Sequence, residues 1–330
     1  MQAAAQQLAD SIVSATAVTH NAASTQEQRT EAVRFFEQLK HGEIHSTVFA
    51  AAVLTGTQYA LEVQVSAYSL LQYLVRNRWG ELAPQEQQQV TQLAYQHLRD
   101  VGHLGAQAAW ALKSKAAMLL AGVVRQQGPE GFGQLLPQLI AAAGEGPMQA
   151  EISCLVLQFV AEDIMQFEDR TGDWRRSFLS ALLASVDTVF PALVKLLQDN
   201  FSAGVAASQS GRPDAARAHA AVVNAALGAL SSYVEWAPLG RVGGGSVVEA
   251  CAFFLNAPDF RDAALGVLKQ VRFLPPPRLA GSLLIFEIAS RPRGGGGGFG
   301  CRSGRCGARR AAGERRRAAA AAAAAPVRRV

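Results

Sequence analysis

Gln58–Trp79 reads QYALEVQVSAYSLLQYLVRNRW, and its main apolar residues fall on one side of a helix. Val63, Ala67, Leu70, Leu71 and Leu74 follow one another at spacings of three and four, the helical period. A helix with one apolar stripe cannot bury it alone and needs a partner. Stretches of the same kind end near Lys40, Trp79, Gln127 and Phe167, so successive ends lie 39, 48 and 40 residues apart. Two helices per unit at that period is the signature of HEAT or armadillo repeats. These residues predict an all-α fold: an α-solenoid, or superhelix, of HEAT-type pairs whose concave face is a binding surface.

Working outward, the same pattern predicts most of the remaining helices. Leu8, Ile12, Val13 and Ala15 stripe a first helix that ends near Thr19. Ser24-Thr25-Gln26-Glu27 reads as a capping box opening a second, with Val33, Phe36 and Leu39 inward and Gly42 just past its end. A third covers His45–Leu54. Pro84 suits a first turn, and Val90, Leu93, Ala94, Leu98 and Val101 follow it to Gly102. Ala106–Gln127 buries Leu112, Ala116, Leu119, Leu120 and Val123. Next come Phe132–Ala143, interrupted at Pro137, and Met148–Phe167 with Ile152, Leu155, Phe159, Val160 and Ile164. Asp173–Asn200 is expected to bend or break at Pro191, and polar Ser202–Pro213 to form a loop. Helices return at Asp214–Glu235, Ser246–Asn256, Pro258–Phe273 and Arg278–Ser290, giving six to seven repeats.

The net charge of +5 is a poor guide to the folded part. Residues 291–330 hold eleven Arg and one Glu, a net of +10, which leaves residues 1–290 at −5. An acidic body lacks the basic footprint of a nucleic-acid binder and suits basic partners. Five glycines (294–298) and eight alanines (318–325) cannot specify a core, so 291–330 is expected to be a disordered Gly/Arg/Ala tail. It leaves the array without a polar capping helix, as a truncated or misread end would. An Arg/Gly-rich RNA-binding tail is the other reading.

No apolar run approaches the roughly 20 residues of a spanning helix, so no membrane insertion is expected. No basic region precedes a hydrophobic block, so no secretory signal is expected either. Cys154 and Cys251 sit in apolar helical contexts and read as reduced buried thiols, while Cys301 and Cys306 lack the neighbours a zinc site needs. A reducing compartment fits. His20, His41, His45, His97, His103 and His219 show no ligand spacing, and His97 lies on an apolar face. No phosphate loop, nucleophile elbow or Cys/His dyad appears, and Gly243–Gly245 follows no strand. Glu162 and Asp163, on consecutive helical positions, diverge by about 100° and read as a solvated face or an inter-repeat bond. No catalytic residue, metal or cofactor is expected.

Four stretches resemble the N-terminal region of the importin-β/exportin superfamily, in an order most similar to its exportin-5 (HASTY-type) branch. They are Ala67–Trp79; Ala111-Leu112-Lys113-Ser114-Lys115-Ala116 with Val123–Pro129; Val160–Phe167 with Trp174-Arg175-Arg176; and Ser232-Tyr233-Val234-Glu235-Trp236. The chain departs from the family at Gly128-Pro129-Glu130-Gly131-Phe132, where tryptophans usually flank the proline; Phe132 is expected to fill part of that space. The resemblance implies importin-β N-terminal-like repeats over 1–102 and exportin-1-like repeats over 103–290.

It further implies a karyopherin that shuttles between nucleus and cytoplasm, binds Ran in its GTP form, meets nuclear pore proteins, and exports structured RNA such as microRNA precursors, or protein cargo. Most of the cargo surface would lie beyond residue 330. Gln72, Arg76, Asn77, Lys113 and Lys115, on inner helices of the first repeats, are then the candidate Ran contacts. For Arg76 and Arg78 there is a plainer role, since cations complement a helix C-terminus. Lys113 and Lys115 stand at a helix start, where the dipole opposes them. Trp79 and Trp236 read as core plugs. A HEAT scaffold without Ran dependence is the rival function.

Overall fold

In the computed structural model, the described residues are 2–99, 109–166, 172–242 and 246–273. Their helices lie in one compact unit, Met1–Leu279. Twelve helices occur among them: α1 (Gln2–His20), α2 (Gln26–His41), α3 (Ile44–Leu54), α4 (Leu61–Arg78), α5 (Pro84–Arg99), α6 (Trp110–Ala142), α7 (Pro147–Gln166), α8 (Gly172–Gln209), α9 (Pro213–Val234), the single turn α10 (Leu239–Val242), α11 (Ser246–Phe254) and α12 (Arg261–Phe273). The predicted residues Val101, Gly102, the 278–290 helix and the 291–330 tail lie outside the described residues, as do Cys301, Cys306, His103, Gly243–Gly245 and the side chain of His97.

The decisive stretch folds as read. Val63, Ala67, Leu70, Leu71 and Leu74 of α4 are all buried, and sealing one such leucine contributes roughly 1.5–3 kcal/mol. The stripes of α6 (Leu112, Ala116, Leu119, Leu120, Val123) and α7 (Ile152, Leu155, Val160, Ile164) are buried too. α4 packs on α6, α6 on α7, α7 on α9 and α9 on α12, forming one layer; α1 packs on α3, α3 on α5, α6 on α8 and α8 on α11, forming the other. α6 serves both layers because it is broken within. Gly128 has φ 79° and ψ −163°, outside helical space, so α6 is two helices meeting at one residue. The result is a HEAT-type α-solenoid with six helix pairs among the described residues.

Several local expectations are corrected. The capping box is shifted by one residue: Thr25, not Ser24, is the cap, accepting from Gln28 N, while Gln28, not Glu27, reaches back to Thr25 N at 2.9 Å. The buried face of α2 also differs from the expected one: Ala32 and Leu39 are buried, whereas Val33 is 55 % exposed. Pro137 and Pro191 do not interrupt their helices. Each proline, and the residue four before it (Gly133, Asp187), is exposed, so the carbonyl that loses its partner faces water.

Ser202–Gln209 is helical, not a loop, and ends in a Schellman turn: Arg212 N donates to Ala207 O (2.9 Å) and Gly211 N to Ser208 O (3.1 Å), with Gly211 at φ 68°. By length and composition α8 is apolar enough to cross a membrane, with a mean hydropathy of 1.7 over its best 18-residue window. The count of unbroken apolar residues missed it because polar residues are interspersed. Its buried face, including Phe178, Leu182, Val189 and Leu193, packs within the helix stack.

Candidate functional site

The five candidate residues stand on α4 and the first half of α6, and two of them, Gln72 and Lys115, meet across the seam between those helices. Gln72 Nε2 donates to the backbone oxygen of Lys115 at 2.5 Å, and Lys115 Nζ lies 3.5 Å from Gln72 Oε1. Gln126 Nε2 donates to Val75 O at 2.7 Å. These amide bridges join two helices whose apolar stripes already face each other, and they fix the register between them.

Most of the cations are engaged inside the fold. Lys113 pairs with Glu151 of α7, both side chains nearly sealed from solvent. Arg76 Nη2 meets Asp163 Oδ1 of α7 at 2.9 Å. Arg78 donates to the backbone oxygens of Lys40 (3.0 Å) and Gly42 (2.9 Å) and pairs with Glu81. It therefore complements a helix C-terminus as expected, but that of α2 and not its own. Asn77 is exposed and donates to Tyr73 O at 2.8 Å. Lys115 is half-buried, and desolvation lowers its pKa from the ordinary lysine value.

Glu162 and Asp163 act as the sequence suggests, in opposite directions. Glu162 accepts from Ser232 Oγ of α9 at 3.0 Å, and Asp163 binds Arg76. Trp79 and Trp236 are only half-buried, Trp236 resting on Tyr233 with ring centroids 5.0 Å apart. Cys154 and Cys251 are buried, and burial pushes both thiols up to about 12. At the departure from the family pattern, Phe132 is buried against Phe178 (5.8 Å), which in turn meets Trp174 (5.2 Å). Aromatics from α8 thus complete the packing beside Gly128.

Sequence reading did not find Asp163 or Glu151 as the partners of the candidate cations. Acidic residues on a helix 38 and 87 positions downstream carry no local signal. A cavity of about 430 Å³ between α6, α7, α8 and α9, lined by Leu139, Ala150, Leu193, Asn200 and His219, was likewise not anticipated. His219 Nδ1 and Asn200 Oδ1 lie 2.8 Å apart at its edge.

Residues 109–268 match the family profile of exportin 1-like proteins. The chain is 34% identical over 249 residues to Protein HASTY 1 of Arabidopsis thaliana, covering 75% of this chain and 20% of the plant protein. It is 22% identical over 265 residues to Exportin-5 of Mus musculus, covering 77% of this chain and 21% of that protein. With Exportin-1 of Schizosaccharomyces pombe it shares 22% over 233 residues, covering 68% and 20%. The chain therefore spans about one fifth of the length of these curated relatives.

Proposed function

Because the chain belongs to the exportin family, we propose that it is the Ran-binding portion of a nuclear export receptor, a karyopherin that shuttles between nucleus and cytoplasm. Its domains divide at residue 102, with importin-β N-terminal-like repeats before it, exportin-1-like repeats over 103–290 and a low-complexity tail over 291–330. The observation that carries this reading is the likeness to HASTY 1 over three quarters of the chain. Ran in its GTP form docks along the α4–α6 seam, where Asn77 and Lys115 contact it while Gln72, Arg76 and Lys113 hold the helices that present them. The cargo is structured RNA such as a microRNA precursor, or protein, gripped mostly by regions past this chain. Passage involves nuclear pore proteins. Ran and cargo favour one arrangement of the solenoid, so each tightens the other, and hydrolysis releases both.

A second reading has its own support: the carboxylates of Asp163 and Glu151 already engage Arg76 and Lys113, as in a scaffold that binds proteins without nucleotide control. Pull-down with Ran locked in its GTP and GDP forms separates the two. Selective retention of the GTP form, weakened by Asn77→Ala and Lys115→Ala, supports the receptor. Equal retention of both forms leaves the scaffold.

A further inference from the structure

Several side-chain bonds in the stack run from one helix to its neighbour. Gln72 and Gln126 join α4 to α6, Lys113 joins α6 to α7, and Ser232 joins α9 to α7. Arg76 skips a helix: from the last turn of α4 it reaches past α6 to Asp163 in the last turn of α7, 87 positions away, at 2.9 Å. The first half of α6 ends at Gly128, two residues after Gln126, whose side chain meets the end of α4.

In a repeat stack each pair touches only its neighbours, so the angle at each seam is an independent soft variable. A bond from the second pair to the fourth removes that independence, because neither seam can open without stretching it. Arg76 and Asp163 are 33% and 20% exposed, so water, salt and a partner's side chains reach the bond. A guanidinium binds any well-placed carboxylate in the same fork geometry, so an acidic side chain from outside competes for it directly.

We infer that Arg76 and Asp163 form a latch that holds α4, α6 and α7 at one stacking angle, and that a competing carboxylate opens it. This goes beyond Ran binding and does not depend on it. Glu162, next to Asp163, keeps its bond to Ser232 when the latch is open, so α7 stays fastened to α9 and the hinge is confined to the α4 side.

The test uses the full chain with dyes attached through genetically encoded azido residues at the exposed positions Gln38 and Gln198, read by energy transfer. Arg76→Ala and Asp163→Ala each lower the transfer efficiency, and the swap Arg76→Asp with Asp163→Arg restores it. A decaglutamate peptide lowers it in the wild type and has no further effect in Asp163→Ala. Unchanged transfer in the single variants, a swap that stays open although helical by circular dichroism, or a wild type indifferent to decaglutamate each overturn the latch. Ran retention is scored separately, so loss of nucleotide selectivity with intact transfer changes sinks the receptor reading alone.

Discussion

Lys113 and Glu151 meet across the α6–α7 seam with side-chain exposures of only 12% and 5%. Two charges so nearly sealed are held by each other, and the cost of their burial is offset only while both are present. Removing one partner, as in Lys113→Met or Glu151→Leu alone, is expected to cost about 3–5 kcal/mol. The double apolar variant recovers most of that loss. Urea midpoints for the two singles and the double decide it; strictly additive losses would mean the two side chains are not coupled.

Gly128 holds a backbone conformation that is essentially closed to residues with a side chain. Gly128→Ala should destabilise the fold by about 1–3 kcal/mol through that strain. Trp174 Nε1 would lie 3.6 Å from the added carbon, ordinary contact, so the loss comes from the backbone and not from crowding. A variant that melts like the wild type would show that α6 straightens at no cost.

The register of the α2 cap is open to a direct check. Thr25→Ala should lose about 0.5–2 kcal/mol, and amide exchange in the first turn of α2 should speed up. Ser24→Ala should change neither. If Ser24→Ala were the damaging change, the box would sit where the sequence alone places it.

His45 Nδ1 lies 2.8 Å from Glu86, tying α3 to α5. The Glu86 hydrogen bond and charge raise the pKa of His45 above the ordinary histidine value; desolvation and Arg78 oppose this, and Glu43 adds to it. A raised folded-state pKa stabilises the fold fully below the unfolded value near 6.5. That stabilisation is lost as pH rises through the folded value. Thermal midpoints of the wild type should therefore fall from pH 5.5 to 8.5 by more than those of Glu86→Gln. Parallel profiles would remove the pair from any role in stability.

Helix positions and buried stripes were readable because both depend on spacing within a few residues. Leu70, Leu71 and Leu74 declare a face, and a face needs a partner. What the spacing could not supply was anything decided between helices. Pro137 and Pro191 look like breaks until the structure turns them toward solvent, where water replaces the lost bond. Ser202–Gln209 looks polar, but Ala207 is buried and the Ala-rich run favours helix once α9 lies against it. The one-residue shift at Thr25 is a choice between two adjacent hydroxyls, each with a polar residue three positions on. Among the candidate site residues, placement on two neighbouring helices was legible, whereas the commitment of Arg76 and Lys113 to carboxylates far along the chain required coordinates.

The Schellman turn at Gly211 joins two of the longest helices through only three residues. Ordering so short a connection forfeits little chain freedom, and the α8–α9 hairpin can zip from its closed end using contacts near in sequence. It should therefore be the nucleus from which the remaining pairs assemble and the last foldon to exchange its amides, with protection fading toward either flank of the stack. A protease acting on the native chain would then nibble from the margins while this hairpin persists as the resistant kernel.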